Sequence, residues 1–371
     1  MPQGVSQWQE ATVTGPDRHP LFVFAGIMIY GKHGHYEQVI GTSYLLLMKK
    51  MDAQKQKLSV AWLSVFSNTI LVIIKLVIGI WIGAVSIISE AMHSAVDLVA
   101  AVIALFSVKT SGRPADPEHP FGHGKIENIS GSIEALLIFV AAGWIMYEAT
   151  QKLLHPEPVG LIGLGVAVML FSSLINVFVS QMLFKVARKT DSVALLADAW
   201  HLRTDVYTSA GVMFSLATIW IGERLFPGTA LQWLDPVAAI GVALLIIGTA
   251  YNLTMKSARD LLDAALPPEE KNLIRRIITE QRPAVHGFHK LRTRKAGNVR
   301  FIEFHMKVDP QMTVEASHQI TVDITGTIHE HFPGSSVNIH VEPCDGTCDA
   351  DCTAGCLLSA EDRRAVREKK R

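Results

Sequence analysis

The sequence predicts an α-helical membrane protein with six transmembrane helices, followed by a small cytoplasmic α+β domain of metallochaperone-like α-β-β-α-β order. Hydrophobic residues make up 49% of the 371 residues and charged residues only 18%, a composition typical of membrane proteins. Six apolar stretches are each long enough to cross a bilayer core, which takes about 20 helical residues. They end near residue 265, where a shorter and more polar pattern begins. These observations predict one membrane domain and one water-soluble domain.

The predicted spans are separated by loops of unequal charge. In chain order the spans lie near residues 60–82, 85–108, 130–150, 159–184, 192–221 and 236–255. Lysines and arginines flank the start of span one and the ends of spans two, four and six, whereas only Lys152 and Arg224 flank the other side. By the positive-inside rule both termini are cytoplasmic, in a multi-pass protein of the inner (plasma) membrane.

The chain divides into four parts on this pattern. They are an N-terminal arm at 1–54, the six-span domain at 55–265, a cytoplasmic metal-binding domain at 266–343, and a cysteine-containing, charged tail at 344–371. The apolar pieces of the arm are too short to span a bilayer and lack a signal-peptide cleavage pattern. The arm is therefore interfacial or disordered, or it precedes a true translation start at Met48 or Met51.

The soluble domain begins at Pro267-Pro268-Glu269-Glu270, a helix start with proline and acids in the first turn. A helix over 268–281, strands over 286–294 and 298–308, a helix over 313–331 and a strand over 336–342 follow. The sequence therefore predicts a small open-faced sandwich.

Charge and motif content exclude two classes of function. Lys+Arg and Asp+Glu are equal at 34 each, so the chain has no basic field to attract nucleic acid. A membrane metalloenzyme typically carries His-Glu-x-x-His, which no span contains. We therefore expect neither an enzyme nor a catalytic cofactor.

Two of the spans carry one shared motif of ionisable residues. Span two contains Glu90-x-x-His93-x-x-x-Asp97, and span five contains Asp198-x-x-His201-x-x-x-Asp205. This spacing places the three groups on one helix face. Ionisable groups in lipid are costly and usually mark an ion or proton path. Two histidines and two aspartates form a four-ligand set that suits tetrahedral zinc. One such pair alone is equally explained by an interhelical hydrogen bond, and Glu90 and Asp198 are candidates for ligand support or proton relay.

Two further groups of candidate ligands lie outside the spans. The loop after span two offers Asp116, His119 and His123 within eight residues, although such a loop alone is more often a plain surface turn. In the soluble domain His305 and His340 lie on predicted strands, and Glu342 shares a face with His340 by the period of two.

These motifs resemble those of the cation diffusion facilitators, in particular their bacterial zinc-exporting branch. The resemblance covers roughly residues 55–343 and rests on the two His-x-x-x-Asp pairs, on the loop from Asp116 to Glu127, and on the histidine-bearing C-terminal domain. It implies a metal-for-proton antiporter that works as a homodimer. It also implies a transport site, a loop site and a binuclear cytoplasmic site, which are, in that order, His93, Asp97, His201 and Asp205; Asp116, His119 and His123; and His289, His305, His318, His340 and Glu342.

The resemblance carries two finer expectations. It implies a charge interlock between Lys125 and Asp263 at the dimer contact. Relatives with aspartate at the position of His93 use a broader range of metals, so the chain looks like the zinc-selective type, while ligand chemistry alone also admits cadmium, cobalt or iron.

The tail departs from the resemblance. Cys344, Cys348, Cys352 and Cys356 follow one another at every fourth position, and aspartates lie between them. Four thiolates can close a structural zinc site, but the tail is equally explained as an inert reduced segment, and an iron–sulfur cluster is a third interpretation. We expect the tail to be disordered without metal.

The sequence thus predicts a proton-coupled antiporter that exports divalent zinc from the cytoplasm, with Zn²⁺ as substrate and as a structural or regulatory ligand. Its predicted partners are divalent metal ions, protons, the lipid bilayer and a second copy of the chain. The alternative is a membrane protein that senses or stores metal without transporting it.

Overall fold

The computed structural model describes residues 35–82, 85–155, 162–225 and 233–368. Its helices and strands are, in chain order, α1 (His35–Ile82), α2 (Val85–Ser111), α3 (Lys125–Leu154), α4 (Ile162–Thr190), α5 (Val193–Leu225), α6 (Leu234–Leu261), α7 (Pro268–Thr279), β1 (Val285–Ala296), β2 (Val299–Val308), α8 (Val314–His331), β3 (Ser336–Pro343), α9 (Ala350–Ala354) and α10 (Ala360–Glu368). The predicted fold class, a helical membrane domain followed by α-β-β-α-β, is confirmed.

All six predicted spans are long helices, but they are not equally apolar. Among the described residues, five helices are long and apolar enough to cross a membrane. The helix that misses this criterion is α5, which has 33 residues but carries Asp198, Arg203 and Asp205 in its first half. The least apolar of these helices is therefore α5, one of the two helices that carry a His-x-x-x-Asp motif.

The N-terminal arm falls partly outside the described residues. Residues 1–34 are not described, so the expectation for that stretch lies outside the structure. From His35 onward the residues are helical and belong to α1. The arm is thus helical from His35 onward, and the expectation of an interfacial or disordered arm, or of a later translation start, stays a prediction.

The soluble domain is a three-stranded sheet with the order β1-β2-β3. β1 and β2 form an antiparallel hairpin, and β3 pairs parallel to β2. Helices α7 and α8 cover one face, where Ile274, Ile302, Phe304 and Ile324 are fully buried in a shared apolar core. The other face carries the histidines.

The β1–β2 hairpin reaches the helix ends of the membrane domain. The amide of Gly297, in the hairpin turn, donates to Oδ1 of Asn128 on α3 over 2.9 Å. Asp191, between α4 and α5, binds Lys295 Nζ at 2.7 Å and Arg300 Nη2 at 3.0 Å. The soluble domain is thus fastened to the ends of several transmembrane helices.

The tail is ordered over residues 344–368, which corrects the expectation of disorder without metal. The amide of Phe288 on β1 donates to Gly355 O over 3.0 Å, and the amide of Leu357 donates to His286 O over 2.8 Å. These bonds add the tail to the exposed edge of the sheet, an interaction that the local sequence did not reveal.

Candidate metal sites

The two His-x-x-x-Asp motifs meet crosswise between α2 and α5. His201 Nε2 lies 3.2 Å from Asp97 Oδ1, and His93 Nε2 lies 3.9 Å from Asp205 Oδ1. The two helices run in opposite directions, so the first residue of each motif lies level with the last residue of the other. Ligand atoms of His93, Asp97 and Asp205 all lie within 4.8 Å of one another. The structure therefore brings three of the four candidate ligands into one group and places the fourth, His201, beside Asp97.

The four groups differ in exposure. The side chains of Asp97 and His201 are each 6% exposed, whereas those of His93 and Asp205 are 52% and 18% exposed. A cavity of about 500 Å³ extends from His93, Asp97 and Asp205 to Glu148 and Lys152 near the end of α3. That end of α3 lies opposite the end that contacts the soluble domain, so the cavity opens away from that domain.

Polar groups surround this constellation. Lys75 on α1 is buried and donates to Ser94 Oγ over 2.9 Å, next to His93. Asp198, three residues before His201, is fully buried, as is Glu134 on α3. The side chain of Glu90 lies outside the described part of the chain. The neighbours of the constellation therefore include both basic and acidic side chains.

The loop candidates also converge. The Asp116 carboxylate lies close to both histidines, at 3.2 Å from His119 Nδ1 and 3.2 Å from His123 Nε2. The backbone amide of His119 donates to the Asp116 carboxylate and lowers the pKa of Asp116 below its usual value. His123 is buried, and its Nδ1 has no partner among the described residues. A carboxylate and two imidazoles within 4.8 Å of one another could hold a cation.

The cytoplasmic histidines align across the sheet by register. His289 pairs with His305 between β1 and β2, and His305 pairs with His340 between β2 and β3. Neighbouring strands lie about 4.8 Å apart, and the ring centroids follow this spacing at 5.1 Å and 4.7 Å. The three imidazoles therefore form a row on the face opposite the apolar core.

Glu342 is the common partner of this row. Its carboxylate lies 2.6 Å from His305 Nδ1, 3.5 Å from His289 Nε2 and 3.7 Å from His340 Nε2. Lys307 Nζ also contacts it at 2.8 Å, and this hydrogen bond is the main cause that lowers the pKa of Glu342 to about 2. Burial lowers the pKa of His289, which keeps its imidazole neutral. An ionised carboxylate and a neutral imidazole are the forms that bind metal.

His318 does not join this cluster in the single chain. It lies on α8 with an exposed side chain, and among the described residues it is absent from the groups whose ligand atoms converge. A helix on the opposite face of the sheet cannot direct its side chain to the histidine row. The role that the resemblance implies for His318 stays a prediction.

Sequence reasoning gave no role to a buried ion pair beneath the membrane site. Lys57 Nζ on α1 lies 2.8 Å from Glu127 Oε1 on α3, and both side chains are almost fully buried. Ser111 and Ser192 also donate to the Glu127 carboxylate, at 2.9 Å and 2.5 Å. The available signal was Glu127 itself, an acidic residue in the first turn of α3. This carboxylate joins α1, α2, α3 and the start of α5.

The predicted pair of Lys125 and Asp263 is present within the chain. Lys125 Nζ lies 2.9 Å from Asp263 Oδ1, and Arg294 Nη1 lies 3.4 Å from the same oxygen. The hydrogen bond from Lys125 is the main cause that lowers the pKa of Asp263. This pair links the start of α3 to the segment after α6 that leads into the soluble domain.

Comparison with known proteins identifies both folded parts. Residues 61–262 match the cation efflux transmembrane domain, and residues 266–344 match the cytoplasmic domain of cation efflux proteins. The cation-efflux pump FieF from Yersinia pestis is 36% identical over 279 residues, which cover 74% of this chain and 89% of FieF. An uncharacterised transporter from Synechocystis sp. is 36% identical over 263 residues, covering 71% of this chain and 83% of that protein.

A solved structure is also similar to part of the chain. The metal-bound C-terminal domain of the CzcD transporter from Thermotoga maritima is 32% identical, covers 21% of this chain and 94% of that chain, and has a TM-score of 0.19. The family matches account for more than half of the sequence and include both domains. The resemblance seen in the motifs is thereby confirmed: the chain belongs to the cation efflux family, the cation diffusion facilitators, and is a multi-pass membrane transporter of metal cations with a cytoplasmic C-terminal domain.

Proposed function

We propose that the chain exports Zn²⁺ from the cytoplasm in exchange for protons, and that His93, Asp97, His201 and Asp205 form its transport site. The observation that carries this proposal is the crosswise meeting of two His–Asp pairs inside the membrane domain. A site built for structure alone needs one satisfied pair, whereas two neighbouring pairs supply four ligands.

The donor set favours zinc. Two imidazole nitrogens and two carboxylate oxygens suit a tetrahedral ion without a geometric preference of its own. Harder ions such as Mn²⁺ prefer sites made of oxygen alone, and softer ions prefer thiolates. Cadmium, cobalt and iron share enough of this chemistry to be secondary substrates.

The cavity supports a direction of release. It reaches His93, Asp97 and Asp205 from the side away from the soluble domain, while Asp97 and His201 are covered on the other side. With the soluble domain in the cytoplasm, this is an outward-open arrangement, and both termini then lie inside. Inward opening needs a rearrangement of α2 and α5 relative to their neighbours.

Proton coupling follows from competition for the same atoms. A histidine nitrogen binds either a proton or a metal ion, and free imidazole titrates near pH 6.5, within reach of physiological pH. Protons that enter the cavity from outside therefore displace zinc from the ligands. The protons then leave to the cytoplasm when the site opens inward.

The remaining clusters have supporting roles in this proposal. Asp116, His119 and His123 bind zinc at the loop between α2 and α3, and His289, His305, His340 and Glu342 bind it in the cytoplasmic domain as a sensor. Zinc bridging of two copies of the chain through this domain, with His318 supplied at the contact, gives a homodimer.

Reconstituted vesicles test the proposal. Zinc uptake into vesicles with an acidic lumen, recorded together with lumenal pH, should show zinc entering as protons leave, and collapse of the pH gradient should stop it. Trp144→Phe, which changes the cavity wall but removes no ligand, is the matched control for His201→Ala. Zinc binding without flux in the wild type would instead support a sensing or storing protein. Zinc flux without proton movement would exclude antiport.

A further inference from the structure

The four cysteines of the C-terminal segment surround one small cavity. Cys344, Cys348, Cys352 and Cys356 line it together with His286, Lys307 and Arg363. Only the first of these thiols falls within the matched cytoplasmic-domain region, which ends at residue 344. The other three belong to a part of the chain that the family match does not account for.

Backbone hydrogen bonds hold both ends of this segment on the sheet. The amide of Cys344 donates to Val308 O at the end of β2 over 2.8 Å. At the other end, Cys356 forms a bridge with Gly287 on β1. Between these points α9 turns the chain back and carries Cys352 on its surface. The thiols are therefore gathered by tertiary structure, because a single helix through these glycines and threonines is unfavourable.

We propose that Cys344, Cys348, Cys352 and Cys356 form a structural zinc site that fastens the C-terminal tail to the β1–β2 edge of the cytoplasmic domain. The size of the cavity favours one ion. Its volume is about 10 Å³, about the room that a single water-sized sphere needs. An iron–sulfur cluster contains several iron and sulfide atoms and requires far more space. Four thiolates are also the ligand set most typical of structural zinc.

Cationic side chains around the cavity match the charge of such a site. Zinc bound by four thiolates carries two net negative charges. Lys307 and Arg363 line the cavity, and Arg367 interacts with the Cys348 thiol. The ε-ammonium of Lys307 also contacts Glu342, so this lysine separates the thiol site from the histidine row.

Metal binding must draw the thiols closer together. Among the described residues, the cysteines are not part of the groups whose ligand atoms already lie within 4.8 Å of one another. Zinc–sulfur bonds of about 2.3 Å require a tighter set. All four thiols are free and partly exposed, so rotation of their side chains can close the site. Zinc should therefore rigidify the tail as it binds.

Thiol reactivity in the full-length, reduced protein in detergent tests this site. A thiol reagent should modify all four cysteines without metal. Zinc at about 100 times its Kd leaves about one site in a hundred open, so modification should slow by about 100-fold. Equal rates with and without zinc would overturn the proposal, and this measurement needs no variant that has to fold.

Cadmium gives a second readout that histidine and carboxylate sites cannot produce. Titration with Cd²⁺ should develop sulfur-to-cadmium charge-transfer absorption that saturates at one ion per chain. The paired substitution Cys348→Ser with Cys352→Ser should remove this absorption, and the matched control His305→Ala with His340→Ala should keep it. Persistence of the absorption in the cysteine variant, or its loss in the histidine variant, would refute the assignment. Zinc transport by the cysteine variant in vesicles tests the transport proposal separately, because none of the four cysteines belongs to the proposed transport site.

Discussion

The two His–Asp pairs of the membrane site are built from the same residues at the same spacing, yet their surroundings differ. The pair of Asp97 and His201 is closed at 3.2 Å and buried, and only its Asp97 lines the cavity, whereas both members of the more open pair of His93 and Asp205, at 3.9 Å, line it. The closed pair lies toward the cytoplasmic domain and the open pair toward the opposite side. Identical motifs on antiparallel helices thus give the proposed transport site an accessible half and a covered half, as access from one side at a time requires.

The largest expected effect comes from removing a ligand of the covered half. His201→Ala leaves Asp97 buried without its partner and leaves zinc with three ligands. Zinc flux in vesicles should fall by more than the about 100-fold that loss of an outer-sphere partner alone can cause. Asp205→Ala should have the same effect from the accessible half. Both variants should elute like the wild type on gel filtration, and wild-type flux in either one would contradict the assigned site.

A smaller effect distinguishes the two halves directly. His93→Asp keeps a ligand in the accessible half and makes the site richer in oxygen, so Mn²⁺ should compete better with Zn²⁺. We expect the zinc-to-manganese flux ratio to fall by about tenfold, equivalent to about 1.4 kcal/mol. His201→Asp is the matched change in the covered half. It places two carboxylates face to face in a buried site and should abolish transport. An equal outcome for both substitutions would show that the halves are not distinct.

The cytoplasmic row should affect the sensitivity of transport rather than the chemistry of the membrane site. His305→Ala combined with His340→Ala should raise the zinc concentration for half-maximal flux by roughly fivefold or more, the usual lower range of coupling between sites. Maximal flux at saturating zinc should stay near the wild-type level. Unchanged half-saturation would remove the sensor role, whereas loss of maximal flux would place these residues on the transport path.

The smallest expected effect concerns the junction between the domains. Asp263→Asn removes the carboxylate that Lys125 holds at 2.9 Å. This pair is partly exposed, so its contribution to stability should be about 0.2–1 kcal/mol. Since the folded-state pKa of Asp263 is lowered, the contribution is present above about pH 4, the usual aspartate value, and disappears as the pH falls through the lowered pKa.

Melting temperatures of the wild type and of Asp263→Asn should therefore differ at neutral pH and converge in acid. Lys125→Gln should show the same convergence because it breaks the same pair. A difference that stays constant down to acid pH would mean that the substitution acts through packing rather than charge.

Local pattern was sufficient to predict the elements of this fold. The helices and strands of the cytoplasmic domain begin and end within a few residues of their predicted bounds because proline starts and alternating hydrophobicity are local signals. The motifs on α2 and α5 likewise predicted a shared site, since the spacing fixes the face of each helix. What spacing could not supply was the difference in access between His93 and His201, which depends on how the surrounding helices leave a cavity.

The features that the sequence did not predict depend on contacts between residues far apart in the chain. The ion pair of Lys57 with Glu127 joins residues on different helices, and no period within either helix indicates its partner. The tail was expected to be disordered because its composition is polar, but its order comes from hydrogen bonds to β1. His318 shows the opposite case, in which a ligand implied by resemblance lies apart from its expected partners within one chain.

The glycine at the hairpin turn limits how cytoplasmic domains can be exchanged between relatives. Gly297 has a positive φ of 59°, and a β-carbon there would collide with the carbonyl of Gly124. Glycine tolerates both the dihedral and the close approach. A hybrid transporter that receives a foreign cytoplasmic domain needs glycine at both positions 124 and 297, where the two backbones approach each other. It also needs an asparagine at position 128 to accept the hydrogen bond from the turn amide. Chimeras that ignore this requirement should fail at assembly even when every metal ligand is retained.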